Sequence, residues 1–377
     1  MRIRQTLRVA AGAAAAALAA CTALVSASAE AAPLSNAPGT TVVATGLLNP
    51  RGLAFAPNGT LYVAEAGSGG LTSFDGAQVG LTSRISAINV GGSLPAAGTP
   101  VVTGLISLAT PDGTLGASGL SIQGGRILAS IGEHRELVDG APASPLVNAA
   151  EAQLGRLIQA NPGGPWQSIA DVGGHDFDYT QACINGQLIT PPCSPDGQAN
   201  TAPGQFPDAN PYGILAMSGK TYVADAGANT LDLVNASGST RVLAYVHAQT
   251  NDFLGDEVPT CVAQAGGQLY VGTLNGNIFR YNGTSSLQPV LLRPDLATPP
   301  IGISACVGDA AGNLYVADQG AEFLGAPTGV YKVAPDGSIT LLAAVPDPSG
   351  ITLGPDGYLY VSQNSTSTDG QVVRLLP

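Results

Sequence analysis

The stretch Pro50-Arg-Gly-Leu-Ala-Phe-Ala-Pro-Asn-Gly-Thr-Leu-Tyr-Val-Ala-Glu-Ala-Gly67 recurs along the chain. Its closest echo is Gly350-Ile-Thr-Leu-Gly-Pro-Asp-Gly-Tyr-Leu-Tyr-Val-Ser-Gln363, and weaker copies run over 211–227, 259–273 and 301–319. Each copy joins an apolar alternating run, a Pro/Asn/Asp/Gly turn and a Leu-Tyr-Val-like run, which is the pattern of a β-hairpin. A single hairpin with one apolar face cannot bury itself, so regular repetition predicts that neighbouring copies stack into a continuous core.

The repeat tyrosines set the count. Tyr222, Tyr270, Tyr315 and Tyr360 are spaced 48, 45 and 45 residues apart, the period of a four-stranded propeller blade. Tyr62 and Tyr222 are 160 residues apart, and the gap holds one degenerate copy over 120–131 with Leu128 in the tyrosine place. Six hairpins predict an all-β, six-bladed β-propeller over 40–377, a single domain with inserts at 133–150 and 173–207. A third strand follows each hairpin, at 83–88, 155–159, 230–234, 277–281, 329–333 and 371–376, and outer strands are expected at 101–103, 241–245, 289–292 and 339–343. The chain ends after a third strand and begins, at Thr40-Thr-Val-Val-Ala-Thr45, with an orphan outer strand. The N-terminal strand is therefore expected to complete the C-terminal blade and close the ring, leaving only short protected edges.

Residues 1–29 read as a secretory signal peptide: a basic start with Arg2, Arg4 and Arg8, an apolar run from Val9 to Val25, and a small-x-small site at Ala27-Ser-Ala29. The alternative is a lipoprotein signal over 1–20, with Leu18-Ala-Ala-Cys21 as lipobox and a lipid tether on Cys21. Residues 30–39 are expected to be a flexible lead-in. No later apolar run is long enough to cross a bilayer. Cleavage removes three of the 14 basic residues and none of the 26 acidic ones, which leaves a net charge of −15. Such a surface disfavours nucleic acid and anionic lipid. The closed ring is expected to be secreted or extracytoplasmic and monomeric. Four cysteines remain for an oxidising compartment. Cys183 and Cys193 are expected to pair across an irregular Pro/Gly/Asp-rich segment. Cys261 and Cys306 each precede a repeat tyrosine by nine residues, so they either pair between adjacent blades or stand as two buried thiols.

Strand direction places a site. With the Pro-Asn/Asp-Gly turns at the bottom, residues before the first strand and after the second crowd the top mouth of the channel. The first set is Asn49, Arg51, Asn210, Tyr212, Asp256, Glu257, Asp347 and Ser349; the second is Glu65, Glu133, His134, Asp225, Asn229, Asp318 and Gln363. The ligand-binding candidates are Arg51, Glu65, His134, Asn210, Tyr212, Asp225, Glu257 and Asp318, an acidic funnel with one arginine. It suits a small polar molecule, a protein partner on the top face, or a hard cation such as Ca2+ or Mg2+; no organic cofactor is expected. A structural reading competes for Glu65, Asp225 and Asp318, because an acid after Tyr-Val-Ala caps the turn into the next strand. Arg51 is alternatively a partner for Glu65 inside its own blade. His134, in Ile131-Gly-Glu-His-Arg-Glu136, is the best general-base candidate, set against a solvated loop histidine. His175 with Asp176 and Asp178 could ligate a metal, set against a solvated acidic loop. No Gly-x-Ser-x-Gly elbow, Cys-x-x-Cys or phosphate-binding glycine loop is present.

Asn49-Pro-Arg-Gly-Leu-Ala-Phe with Leu61-Tyr-Val-Ala-Glu-Ala-Gly67, the Leu-Gly-Arg-Leu core within 148–157, Asp208-Ala-Asn-Pro-Tyr-Gly213, Val223-Ala-Asp-Ala-Gly-Ala-Asn229 and Val258-Pro-Thr260 resemble the bacterial ScyD/ScyE family, in order and over nearly the whole mature chain. The resemblance implies an exported protein with NHL-like repeats and a six-bladed propeller of the TolB-like type, and almost nothing about reaction chemistry. Cys261 after Val-Pro-Thr and the Cys183–Cys193 insert depart from the family pattern. The leading expectation is a non-enzymatic binding or scaffolding propeller. The alternative is a metal-assisted hydrolase or lyase resembling the gluconolactonase group, which starts with Glu-Gly-Pro where this chain has Asn49-Pro-Arg-Gly52. A quinoprotein sugar dehydrogenase would need His and several Arg in its pocket, and only Arg51 is in place.

Overall fold

The computed structural model describes residues 39–74, 76–111, 113–193, 207–249, 257–293, 298–320 and 328–377. The expected signal peptide, Cys21, most of the lead-in and Asp256 lie outside the described residues. Six sheets, antiparallel except where the two-residue strand Ala96–Ala97 adds in parallel beside the N-terminal strand, follow one another around a ring. From the axis outward, blade 1 is built on Pro50–Phe55, Leu61–Glu65, Ala77–Ile88 and Thr99–Thr110; blade 2 on Ala117–Gln123, Arg126–Ile131, Arg156–Ala160 and Trp166–Asp171. Blade 3 holds Pro211–Met217, Lys220–Asp225, Thr230–Val234 and Thr240–Tyr245; blade 4 holds Pro259–Ala265, Gln268–Thr273, Ile278–Tyr281 and Leu287–Leu291. Blade 5 holds Ile303–Gly308, Leu314–Asp318, Gly329–Val333 and Ile339–Ala344; blade 6 holds Gly350–Leu353, Leu359–Gln363 and Gly370–Leu375. The N-terminal strand Thr41–Leu47 lies antiparallel to Gly370–Leu375, with Thr41 opposite Arg374, and closes the ring as expected.

The repeat explains itself in this frame. In the bottom turn of blade 1, Gly59 at φ 84° lets its N–H reach Ala56 O while Asn58 Oδ1 accepts the Thr60 N–H. Each second strand alternates its faces. Tyr222, Tyr270 and Tyr315 pack toward the following blade, while Val223, Val271 and Val316 pack toward the preceding one. The buried Tyr360 and Tyr315 rings keep their hydroxyls on the turn aspartates Asp356 and Asp309, at 2.8 and 3.0 Å. Six apolar clusters, one per blade junction, form the core. Inner strands crowd near the axis, so a Cβ on Gly52 would meet Ser118 O at 2.6 Å; Gly213 and Gly350 face the same obstacle after Pro211 and Pro348.

Two features depart from the expectations. Blade 1 is enlarged, its third and outer strands running 12 residues each, with added strands Thr72–Phe74 and Gly113–Leu115. The two inserts carry helices: α1 spans Pro145–Gln153, capped by Ser144, and α2 spans Val172–Ile184, capped by Asp171 Oδ1 on the Gly174 N–H. Cys183 pairs with Cys193 within the second insert as expected, and of the two alternatives for Cys261 and Cys306 the bond between blades 4 and 5 is the one formed.

Candidate functional site

Glu65, Asp225 and Asp318 end the second strands of their blades and are fully buried. Each is engaged in holding a blade together. Glu65 accepts the Leu48 N–H at 2.7 Å, a two-pronged pair from Arg84 at 2.8 Å and the Ser86 hydroxyl. Arg84 stands directly opposite Glu65 in the neighbouring strand, on the same face, and so takes the place expected for Arg51. Asp225 Oδ1 accepts the N–H groups of Asn210, Gly227 and Ala228 at 2.7 to 3.0 Å. Asp318 accepts those of Ile301, Gly302 and Gly320. Glu257 accepts from Gln249 N–H, the Thr273 hydroxyl and the Asn277 amide. Asn210 Oδ1 receives the Glu133 N–H at 3.1 Å, tying blade 3 to blade 2.

Arg51 crosses the mouth instead. Its guanidinium donates to Ser349 Oγ at 3.3 Å and to Thr114 O at 3.1 Å. Tyr212 Oη meets the same serine at 3.2 Å. Blades 3 and 6 lie opposite one another in a six-membered ring, so Arg51, Ser349 and Tyr212 bridge the axis. Arg51 is 9% exposed and makes no ion pair among the described residues.

A second group lies off the axis, between blades 2 and 3 and under α2. Glu133, His134 and Asp208 gather there, as do His175, Asp176 and Asp232, with the ligand atoms of each trio within 4.8 Å of one another. Asp225 and Asp232 project from the blade 3 face that carries Val223 and Val234, which packs against Leu128, Leu157 and Ala170 of blade 2. His134, 1% exposed, is buried rather than solvated; its Nδ1 is 3.4 Å from Glu136 and its Nε2 3.9 Å from Asp208. Asp176 is buried rather than solvated too, because helix α2 turns it inward while Asp178, two residues on, faces solvent.

Burial dominates the electrostatics of this group. It pushes the Glu133 carboxyl up to about 8, with Asp208 adding to the shift and His134 opposing it. Asp208 is raised to about 6 by burial, against the pull of His134. Burial lifts Asp176 and Asp232 well above the usual carboxylate range, and Asp225 is raised despite the three N–H groups it accepts. The sequence signal for this group was Asp232 itself: in Thr230-Leu-Asp-Leu-Val234, alternation places a carboxylate on the same inward face as Val234. Asp208 carried no comparable signal, since its position follows from the path of the second insert.

No protein-family model and no curated protein sequence matches the chain. Solved structures do match. A candidate gluconolactonase superposes with a TM-score of 0.50 at 16% identity, over 91% of this chain and 93% of that one. A protein of unknown function from Bacteroides thetaiotaomicron gives 0.51 at 9% identity, over 89% and 75%. A virginiamycin B lyase from Staphylococcus aureus gives 0.45 at 12% identity, over 90% and 98%. At such identities the likeness is one of fold, and that fold is a six-bladed β-propeller.

Proposed function

We propose that this chain is an exported ScyD/ScyE-like propeller that works by binding, and that it takes a small anionic molecule, such as a carboxylate, at the axial mouth. The observation that carries the reading is Arg51, a buried guanidinium without an acidic partner among the described residues of a strongly acidic protein. Its remaining bonding capacity, with the Ser349 and Tyr212 hydroxyls, suits a carboxylate that would supply the missing charge. Glu65, Glu257 and Asp318 are engaged by their own blades, so they do not compete for that cation. Two disulfides suit an extracytoplasmic compartment. A metal-assisted hydrolase or lyase is the second reading, favoured by the proximity of Glu133, His134 and Asp208.

The test is a thermal-shift series with small mono- and dicarboxylates on the wild type and on Arg51→Gln. A ligand that binds only the folded state at a hundred times its Kd stabilises it by about 2.7 kcal/mol. The wild type should shift with at least one anion, and the variant should not. Equal responses in both proteins would remove Arg51 from the site. Assaying the same samples for lactone and ester turnover separates the two readings.

A further inference from the structure

We propose that Asp176, Asp225 and Asp232 hold a divalent cation of the oxygen-preferring kind, best met by Ca2+, which fastens helix α2 to blade 3. This goes beyond the axial mouth and does not depend on any ligand there. All three carboxylates are fully buried. Among the described residues each has one oxygen engaged and the other without a donor beyond the neighbouring carboxyls. Asp176 Oδ1 sits 2.7 Å from His175 Nδ1 while its Oδ2 has no partner. Asp225 Oδ1 takes three backbone N–H groups while its Oδ2 has none. Asp232 Oδ2 accepts the Thr230 hydroxyl at 2.6 Å while its Oδ1 is bare. Asp176 and Asp232 bring ligand atoms within 4.8 Å of one another. Asp225 projects from the same blade 3 face as Asp232, two residues beyond the Val223 that stands opposite it in the neighbouring strand, and lies within side-chain reach of Asp176.

Three buried acids in contact need a positive charge or shared protons. No lysine or arginine supplies one among the described residues, and the nearby Arg135 and Arg156 pair with Asp171 instead. The engaged oxygens fix each carboxylate's orientation before an ion arrives, as outer partners of a metal site do. A donor set of carboxylate oxygens selects a hard cation. Burial away from bulk water favours Ca2+, which accepts an all-protein shell, over Mg2+, which keeps its waters. Helix α2 brings Asp176 and blade 3 brings the other two, so the ion would join the insert to the ring.

The experiment uses the full mature protein, with metal content measured after purification and again after chelation and dialysis against Ca2+ or Mg2+. One equivalent of Ca2+ should be retained or regained, with a rise in melting temperature larger than Mg2+ produces. Asp232→Asn, which keeps the shape, should weaken Ca2+ binding by roughly a hundredfold, whereas Arg51→Gln should leave it unchanged. Tb3+ luminescence on the wild type reads the site even where a variant fails to fold. Absence of bound metal together with no Ca2+ response would overturn the proposal and leave shared protons as the neutralising device. A response lost in Glu133→Gln but kept in Asp232→Asn would overturn it too, placing the ion in the neighbouring trio.

Discussion

Glu65 illustrates how a residue that looks like a ligand becomes a staple. Its carboxylate is fully buried and meets Arg84, Ser86 and the Leu48 N–H at once. Removing one partner of a buried, hydrogen-bonded ion pair leaves the others desolvated without compensation. Glu65→Ala should therefore cost about 3 kcal/mol in urea unfolding, with Glu65→Gln intermediate because it keeps the shape and part of the hydrogen bonding. A loss below about 1 kcal/mol would mean that water re-solvates Arg84, whose side chain is 25% exposed. Spacing alone located Glu65, Asp225 and Asp318 at the strand ends. Their partners were not legible, because the choice between Arg51 and Arg84 turns on cross-strand register, and Arg84 is the residue paired across the ladder. His134 and Asp176 were hidden for a related reason: their burial comes from insert segments packing over blades 2 and 3, which no local pattern encodes.

At the scale of elements, the hairpins were readable because a period of two and a Pro-Asn-Gly turn are local signals, whereas α2 was not. Its opening Val172-Gly-Gly-His-Asp is poor in helix formers; the helix depends on the Asp171 cap, the Cys183–Cys193 bridge and the Tyr179 hydroxyl on Pro191 O at 2.9 Å. Helix α1 did carry a start signature, Ser144 followed by Pro145. The Cys261–Cys306 bond shows what register adds to spacing. Both residues precede a repeat tyrosine by nine, which suggests side chains pointing the same way round the ring. The blade 5 hairpin has a longer turn, so Tyr315 pairs with Val307 while Tyr270 pairs with Ala263, eight and seven residues back. That one-residue offset turns Cys306 back toward blade 4, where Cys261 faces it with the Cα atoms 5.7 Å apart. A bridge closing this loop is worth about 2–4 kcal/mol on the chain-entropy account. Cys261→Ser with Cys306→Ser should lower global stability by that amount. The Cys183→Ser and Cys193→Ser pair should mainly raise protease sensitivity within the second insert. Equal global losses from the two double variants would contradict this division.

For the molecule as a whole, the acids between blades 2 and 3 couple stability to pH. Burial holds Glu133 protonated up to about 8 and Asp208 up to about 6, while in the unfolded chain both titrate in the ordinary carboxylate range. Between those limits the folded state binds more protons than the unfolded one, so stability falls as pH rises. Asp176, Asp225 and Asp232 shift in the same direction. His134, raised by Glu136 and Glu133 against its burial, adds stability that is likewise lost as pH climbs past its folded value. His247, lowered by burial, opposes the trend, since its share is regained as it deprotonates. The chelated protein should therefore be more stable at pH 5 than at pH 8 in urea unfolding, and Glu133→Gln should flatten the slope by removing a carboxyl that burial raises to about 8. Saturating Ca2+ should flatten it further, because an ion on Asp176, Asp225 and Asp232 replaces the protons that burial otherwise demands. A chelated wild type with level stability from pH 5 to 8 would show that these carboxyls ionise inside the fold, with compensation from groups other than those described.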